Sequence, residues 1–251
     1  DGGIQEEISQ GAGRIAGHLG LNNLIMFFDA NAIQLSTPTA DVISEDTAAK
    51  YRAWNWNVME IDGNDVDQIR KALTAANQET SRPTLIIGHC VMGKGARKAD
   101  NSSYECNCAT HGAPLGGDAY INTVKNLGAD PENPFVIWEE TAQLYENRKD
   151  ELRSIVAERR KEEAEWAAAN PEKAEMLKNW WENKLPELPW DQIEQKPNGP
   201  TRNASAACLS MLSEHVGNMI VSSADLCNSD KTDGFLKHTT VITRDNFAGG
   251  F

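Results

Sequence analysis

Two side chains thirty positions apart set up the first chemical possibility, the carboxylate of Asp1 and the amide of Asn31. Gly2 and Gly3 follow Asp1, and the apolar run Leu24-Ile25-Met26-Phe27-Phe28 comes shortly before Asn31. If Asp1 sits at the carboxyl end of a strand, a helix over 3–20 carries the chain back and a strand over 24–29 returns it to the same edge. A right-handed crossover makes those strands near neighbours. Asp1 and Asn31 then face each other where open α/β sheets bind their ligands. A carboxylate, an amide oxygen and a nearby backbone carbonyl are hard donors that suit Mg²⁺ or Ca²⁺, and Mg²⁺ commonly shares its shell with phosphate oxygens. Gly2 and Gly3 let backbone N–H groups and a helix N-terminus approach an anion. Spacing alone also allows a plainer arrangement, a tight strand-to-helix turn at Asp-Gly and an unrelated Asn in a later turn.

Cys106 and Cys108 form a Cys-x-Cys pair, which raises the question of zinc. Zinc sites need further Cys or His at set spacings, and only His111 is close, so the pair reads as incidental. Five cysteines in 251 residues do not suggest a disulfide framework, and a reducing, cytoplasmic setting is the expectation. A formal net charge of -13 argues against a nucleic-acid partner. The basic run Arg159-Arg160-Lys161 lies among glutamates and reads as a solvated helix face. No apolar run is long enough to span a bilayer, and no signal peptide is present, so no membrane partner is expected.

The elements that would position these residues alternate. Ile4, Ile8, Ile15, Ala16 and Leu19 recur at roughly helical spacing over 3–20. Glycines at 11, 13, 17 and 20 weaken that helix by about a kcal/mol each relative to alanine, but they allow close packing. The run 24–28 predicts a strand buried on both faces. Residues 57–61 and 84–88 predict two more strands, with a helix over 64–77 between them. Such alternation implies an α/β fold, a parallel sheet with helices on both faces. An irregular stretch from Gly93 to about Gly117 is long enough to suggest a functional loop. A charged helical region spans roughly 137–183, and prolines at 186, 189, 197 and 200 mark an extended linker. Thr201 is expected to cap a helix running through Val216, and Met219-Ile220-Val221 to form a strand, so the αβ pattern restarts.

Three segments carry a family resemblance. DGGIQEEISQGAGRIAGHLGLNNLIMFFDANAI resembles the thiamine-diphosphate motif, Gly-Asp-Gly followed further along by Asn, in the form transketolases have. Thr110-His111-Gly112-Ala113-Pro114-Leu115-Gly116 is similar to their His-Gly-Ala-Pro-Leu segment. Thr201-Arg202 and Ser223-Ala224-Asp225-Leu226-Cys227-Asn228-Ser229 resemble the start of the family's pyrimidine-binding domain. The matches occur in order along nearly the whole chain. The resemblance implies the thiamine-diphosphate-binding fold and three regions. These are the later part of a diphosphate-binding domain over 1–135, a helical and Pro-rich connector over 136–200, and the start of a pyrimidine-binding domain over 201–251.

The resemblance also implies roles. Asp1, Asn31 and the carbonyl of Ile33 would ligate Mg²⁺ (or Ca²⁺), and Gly2 would donate its N–H to the diphosphate of thiamine diphosphate. His111 would reach that diphosphate and the substrate's hydroxyls, tasks suited to a group that donates hydrogen bonds and exchanges protons near neutral pH. Arg202 and Ser229 would grip a sugar's terminal phosphate, a guanidinium fork matching phosphate well. Asp225 and Leu226 would lie near the thiazolium ring. Glu6 resembles an interface carboxylate, and equally suits the first turn of a helix; His18 is expected to pack or cap. Gly11 and the segment 94–110 depart from the family pattern, which puts the interface network and the details of substrate access in doubt.

The implied activity is transketolase, moving a two-carbon ketol unit from a ketose phosphate to an aldose phosphate in the pentose phosphate pathway, by a homodimer. The alternatives are another thiamine-diphosphate enzyme, such as a dihydroxyacetone synthase or a deoxyxylulose-phosphate synthase, and a non-catalytic interaction subunit. Because residue 1 falls inside a motif, the chain is expected to be an internal piece of a longer protein. The activating glutamate would lie beyond Phe251 and further histidines upstream, leaving the piece inactive alone.

Overall fold

Three runs of β-branched and apolar residues become strands, β1 (Ile25–Ala30), β2 (Asn57–Asp62) and β3 (Thr84–His89). All are parallel in the order β1-β3-β2, with Ala30 and Asp62 both in register with His89. The computed structural model describes residues 1–251 and falls into two compact units, 1–136 and 137–251. β3 is central and its Thr84, Leu85 and Ile86 are wholly buried. β1 is not buried on both faces as its composition predicts. It has one strand neighbour, and Phe27 stays 42% exposed.

Helices do cover both faces of this sheet. The predicted helix over 3–20 is two, α1 (Gly2–Gln5) and α2 (Glu7–Leu19), because Glu6 adopts an extended conformation (φ -60°, ψ 135°). The Glu6 carbonyl then accepts the Gln10 N–H at 3.1 Å, starting α2 afresh. A third helix, α3 (Thr47–Ala53), has no counterpart in the sequence reading. The Asp46 side chain caps it by accepting the Ala49 N–H at 2.8 Å. α2 and α3 cover one face, where Ala16, Ala48, Tyr51 and Trp56 pack on Leu85 and Ile87. The opposite face is covered by α4 (Val66–Gln78), whose Ala72 and Ala76 pack on Ile86.

Close approach of α2 depends on Gly17, where a Cβ would lie 1.7 Å from the Trp54 carbonyl oxygen. Trp56 Nε1 donates to the Gly13 carbonyl at 2.7 Å, so a buried indole finds its acceptor on the same helix. Two residues of the expected apolar stripe lie outside this contact, with Ile8 82% and Ile15 57% exposed. After β3 the chain is irregular until α5 (Gly117–Asn126), through positive φ at Gly93, Gly95, Asn101, Cys106 and Gly112.

The second unit contains helices and no strand. α6 (Glu139–Ala169) has no buried residue, exposes Leu144, Tyr145, Leu152, Ile155, Val156 and Trp166 among its charges, and carries i,i+3 ion pairs such as Arg153–Asp150 at 2.7 Å. Asn170 ends it, and Pro171 opens α7 (Pro171–Trp181) at the one helical position where a missing N–H costs nothing. α8 (Thr201–His215) begins at Thr201 with Pro200, not Thr201, in the capping position. The expected strand at Met219-Ile220-Val221 does not form. Val221 donates to Gly250 at 2.8 Å, but no ladder continues from that bond and Ile220 is 69% exposed. A short helix α9 (Cys227–Asp230) and a 3₁₀ segment over Thr232–Lys237 follow. That segment seats buried Phe235, and Gly234 approaches α8 so closely that a Cβ would lie 2.6 Å from the Ala206 carbonyl.

Candidate cofactor site

β1 delivers Asn31 to the carboxyl edge of the sheet, and there it meets Asp1. Asn31 donates its backbone N–H to Asp1 Oδ2 at 3.0 Å, a contact across thirty residues. Its own side chain turns forward, Oδ1 accepting the Ile33 N–H at 3.1 Å. Ala32 between them takes φ 64°, which makes this turn possible, and Thr39 closes it by donating to the Ala32 carbonyl at 2.9 Å. Ile33 is buried beneath the turn, fixing the backbone on which its carbonyl sits. Asp1, Asn31 and Ile33 are thus brought together.

A cavity of about 450 Å³ opens beside Asp1, walled by Ala30, Ala32, Thr39, Glu60 and His89 among others. A Cβ at Gly2 or Gly3 would meet no atom within 4 Å, so the backbone after Asp1 is open to approach. No three His, Cys, Asp or Glu side chains converge as a metal-binding group anywhere in the chain. The fitting metal is therefore not one bound by a thiolate or imidazole cage. One carboxylate, one amide oxygen and a backbone carbonyl beside an open glycine backbone fit a hard cation that completes its shell with phosphate oxygens.

Other predicted residues lie elsewhere. His111 is exposed at the end of a 3₁₀ turn over Cys108–Thr110, its N–H on the Cys108 carbonyl at 3.0 Å, and it does not line the cavity beside Asp1. Glu6 is exposed between α1 and α2, and His18 is exposed in the last turn of α2. In the second unit Arg202 and Ser229 are brought together, Arg202 Nη1 donating to the Ser229 carbonyl at 3.2 Å. Asp225 holds φ 63° and, like Leu226, is exposed. Asp230 organises this loop. It accepts from Ser223 Oγ at 2.8 Å, Thr232 N at 2.9 Å and Thr232 Oγ1 at 2.8 Å, and these bonds hold its carboxyl below the ordinary carboxylate range.

Sequence reasoning missed Glu60 and His89, which also wall the cavity. The available signal was positional, since His89 directly follows an apolar run and so had to end a strand at the carboxyl edge. Cys90 is next in line. Burial first, then Asp29 beside it, pushes its thiol up to about 11.

A parallel sheet with oxygen donors and an open glycine backbone at its carboxyl edge is the architecture of an α/β domain that binds a phosphorylated cofactor. The particular family follows from comparison. Residues 1–186 match the family described as transketolase, thiamine diphosphate binding domain, and the chain belongs to the transketolase family. A transketolase of Staphylococcus aureus (strain MRSA252) is 32% identical over 244 residues, covering 93% of this chain and 35% of that protein. The chain thus spans about a third of the length of the curated relatives it matches. Transketolase from Leishmania mexicana superimposes over 100% of this chain and 37% of its own, with a TM-score of 0.85 and 26% identity. A Pichia stipitis transketolase solved in complex with sedoheptulose 7-phosphate gives a TM-score of 0.80 at 30% identity, over 92% of this chain and 34% of its own. No helix is long and apolar enough to cross a membrane.

Proposed function

We propose that this chain carries the cation- and diphosphate-holding part of a transketolase, which transfers a two-carbon ketol unit from a ketose phosphate to an aldose phosphate. The reading is carried by the contact of Asp1 with Asn31 at the sheet's carboxyl edge, beside an open glycine backbone and a cavity. Asp1, Asn31 Oδ1 and the Ile33 carbonyl would hold Mg²⁺, and the Gly2 N–H would donate to the diphosphate. When bound, thiamine diphosphate supplies the nucleophilic carbon and the electron sink; the protein supplies placement and proton transfer.

His111 would donate to phosphate oxygen and exchange a proton with a substrate hydroxyl. Arg202 and Ser229, already in contact, would hold the sugar's terminal phosphate, the guanidinium contributing charge and the hydroxyl a second donor. Asp225 and Leu226 would stand near the thiazolium ring, where a carboxylate offsets positive charge. Assembly as a homodimer is part of this reading and rests on the family. Titration calorimetry with thiamine diphosphate, with and without Mg²⁺, tests it. The expected result is cation-dependent binding that Asp1→Ala abolishes. Absence of binding, or binding indifferent to the cation, would overturn it.

A further inference from the structure

The Cys106–Cys108 pair takes no part in the cation site, and no third side chain joins it as a metal-binding group. Both thiols are free, Cys106 exposed and Cys108 half-buried. The other cysteines, at 90, 208 and 227, are half-buried and stand far from one another in sequence.

Asn107, between the pair, is a joint. On its N-terminal side the chain is stitched to the turns that follow β3. Tyr104 donates its N–H to the Ala96 carbonyl at 2.9 Å and Cys106 to the Met92 carbonyl at 2.9 Å, while Glu105 Oε1 accepts the Gly95 N–H at 2.7 Å. These bonds hold Cys106 in left-handed backbone, φ 52°, which a residue with a Cβ rarely adopts. On its C-terminal side Asn107 builds the turn that carries His111. Its Oδ1 accepts the Ala109 N–H at 2.9 Å, and its carbonyl accepts the Thr110 N–H at 2.9 Å and Thr110 Oγ1 at 2.7 Å. The His111 N–H closes the turn on the Cys108 carbonyl at 3.0 Å. Asn107 itself is extended (φ -121°, ψ 125°). An extended residue sets the flanking Cα atoms roughly 6.6 Å apart. Disulfides favour a separation of about 5.5–6 Å, so bridging the pair draws the two ends of Asn107 together. Cys106 is anchored, so the displacement falls on Cys108 and the turn behind it.

We propose that Cys106 and Cys108 form a reversible dithiol–disulfide site whose closure loosens the turn carrying His111. The proposal concerns the thiols and that turn, and does not rest on the cofactor reading. The oxidant is a small-molecule disulfide, such as oxidised glutathione. Cys106, the exposed thiol, attacks one of its sulfurs as the thiolate and releases one glutathione. Cys108 then attacks the Cys106 sulfur and releases the second. Two electrons pass to the oxidant, and the pair's two protons leave with the two glutathione thiols.

The test equilibrates the native, intact protein in glutathione buffers of increasing oxidised share, traps remaining thiols by alkylation, and reads the peptides by mass spectrometry. Wild type should lose two hydrogens within the peptide holding Cys106 and Cys108, reversibly on addition of dithiothreitol. Cys108→Ser, unable to close, should instead retain one glutathione on Cys106. Asn107→Gly, which frees the joint, should close at a severalfold lower share of oxidised glutathione. Amide exchange of the oxidised wild type should quicken roughly tenfold at Ala109, Thr110 and His111, and stay as it was at Tyr104 and in β3. Wild type that stays reduced, keeps a stable glutathione adduct or joins other cysteines would overturn the site. Closure with protection unchanged at Ala109, Thr110 and His111, or closure indifferent to Asn107→Gly, would overturn its link to the turn. Cys108→Ser without an adduct on Cys106 would overturn the order of attack.

Discussion

The chain holds two constellations built from residues at similar separation, and they are held in different ways. Asp1 and Asn31 are thirty positions apart, and Arg202 and Ser229 twenty-seven. The first pair hangs on a buried sheet: β1 is in register with β3 along six residues, and helices on both faces fix where its end lies. The second pair joins the first turn of α8 to the short helix α9, across a loop that no strand supports. Its shape comes from the hydrogen bonds of Asp230 and from left-handed backbone at Asp225 and Lys231. A site on a packed sheet inherits rigidity from the core, whereas a site on a loop keeps only the order its local bonds supply.

The largest effect should come from breaking the core that supports the first constellation. In Gly17→Val the new side chain would collide with the Trp54 backbone, which cannot yield as a side chain could. We expect a loss of about 3 kcal/mol or more, measured by chemical denaturation, with the second unit's near-ultraviolet signal as a comparison. Next is Asp1→Asn, which keeps an acceptor for the Asn31 N–H but removes the charge. Cation-dependent cofactor affinity should fall roughly a hundredfold in calorimetry while the melting temperature barely moves.

Asp230→Ala sharpens the contrast from the other side. Amide exchange at Leu226 and Thr232 should quicken by roughly tenfold, while exchange in β1 and β3 stays as it was. Because its carboxyl is held below the ordinary range, the wild-type loop should stay ordered above that range and loosen as pH falls beneath it. The smallest effect concerns Cys90. Its folded value of about 11 lies above the ordinary 9.0, so the folded protein keeps a proton that the unfolded chain has lost. The contribution is complete below about pH 9 and disappears as pH rises towards about 11. Denaturation midpoints of wild type and Cys90→Ser should differ in pH dependence within that window alone.

Much of the first unit was legible because its signals were strong. The run 84–88 became the central strand, since a continuous apolar segment has no other stable place. The Asp1–Asn31 meeting was one of two arrangements that spacing allowed, and the family resemblance favoured it. Other features depended on neighbours that a linear pattern does not name. Ile8 and Ile15 repeat at helical spacing, yet α2 turns Gly13 and Gly17 towards Tyr51, Trp54 and Trp56 instead, and at Gly17 only glycine admits the Trp54 carbonyl. α3 is only seven residues long, too short for its period to stand out, and its one clear cue was Asp46 at the cap. Met219-Ile220-Val221 had the composition of a strand but no partner to form a ladder. His89 carried no motif, and only folding brings it beside Glu60 on the cavity wall.

The central claim concerns where a cation would sit. A crystal structure of the protein grown with thiamine diphosphate and Mn²⁺ in place of Mg²⁺, phased on the manganese anomalous signal, tests it most directly. The account predicts one peak at roughly 2.1–2.2 Å from an Asp1 carboxylate oxygen, Asn31 Oδ1 and the Ile33 carbonyl, with diphosphate oxygens completing the shell. A cofactor bound with its cation away from those three oxygens, or Asp1 and Asn31 separated in the complex, would contradict it.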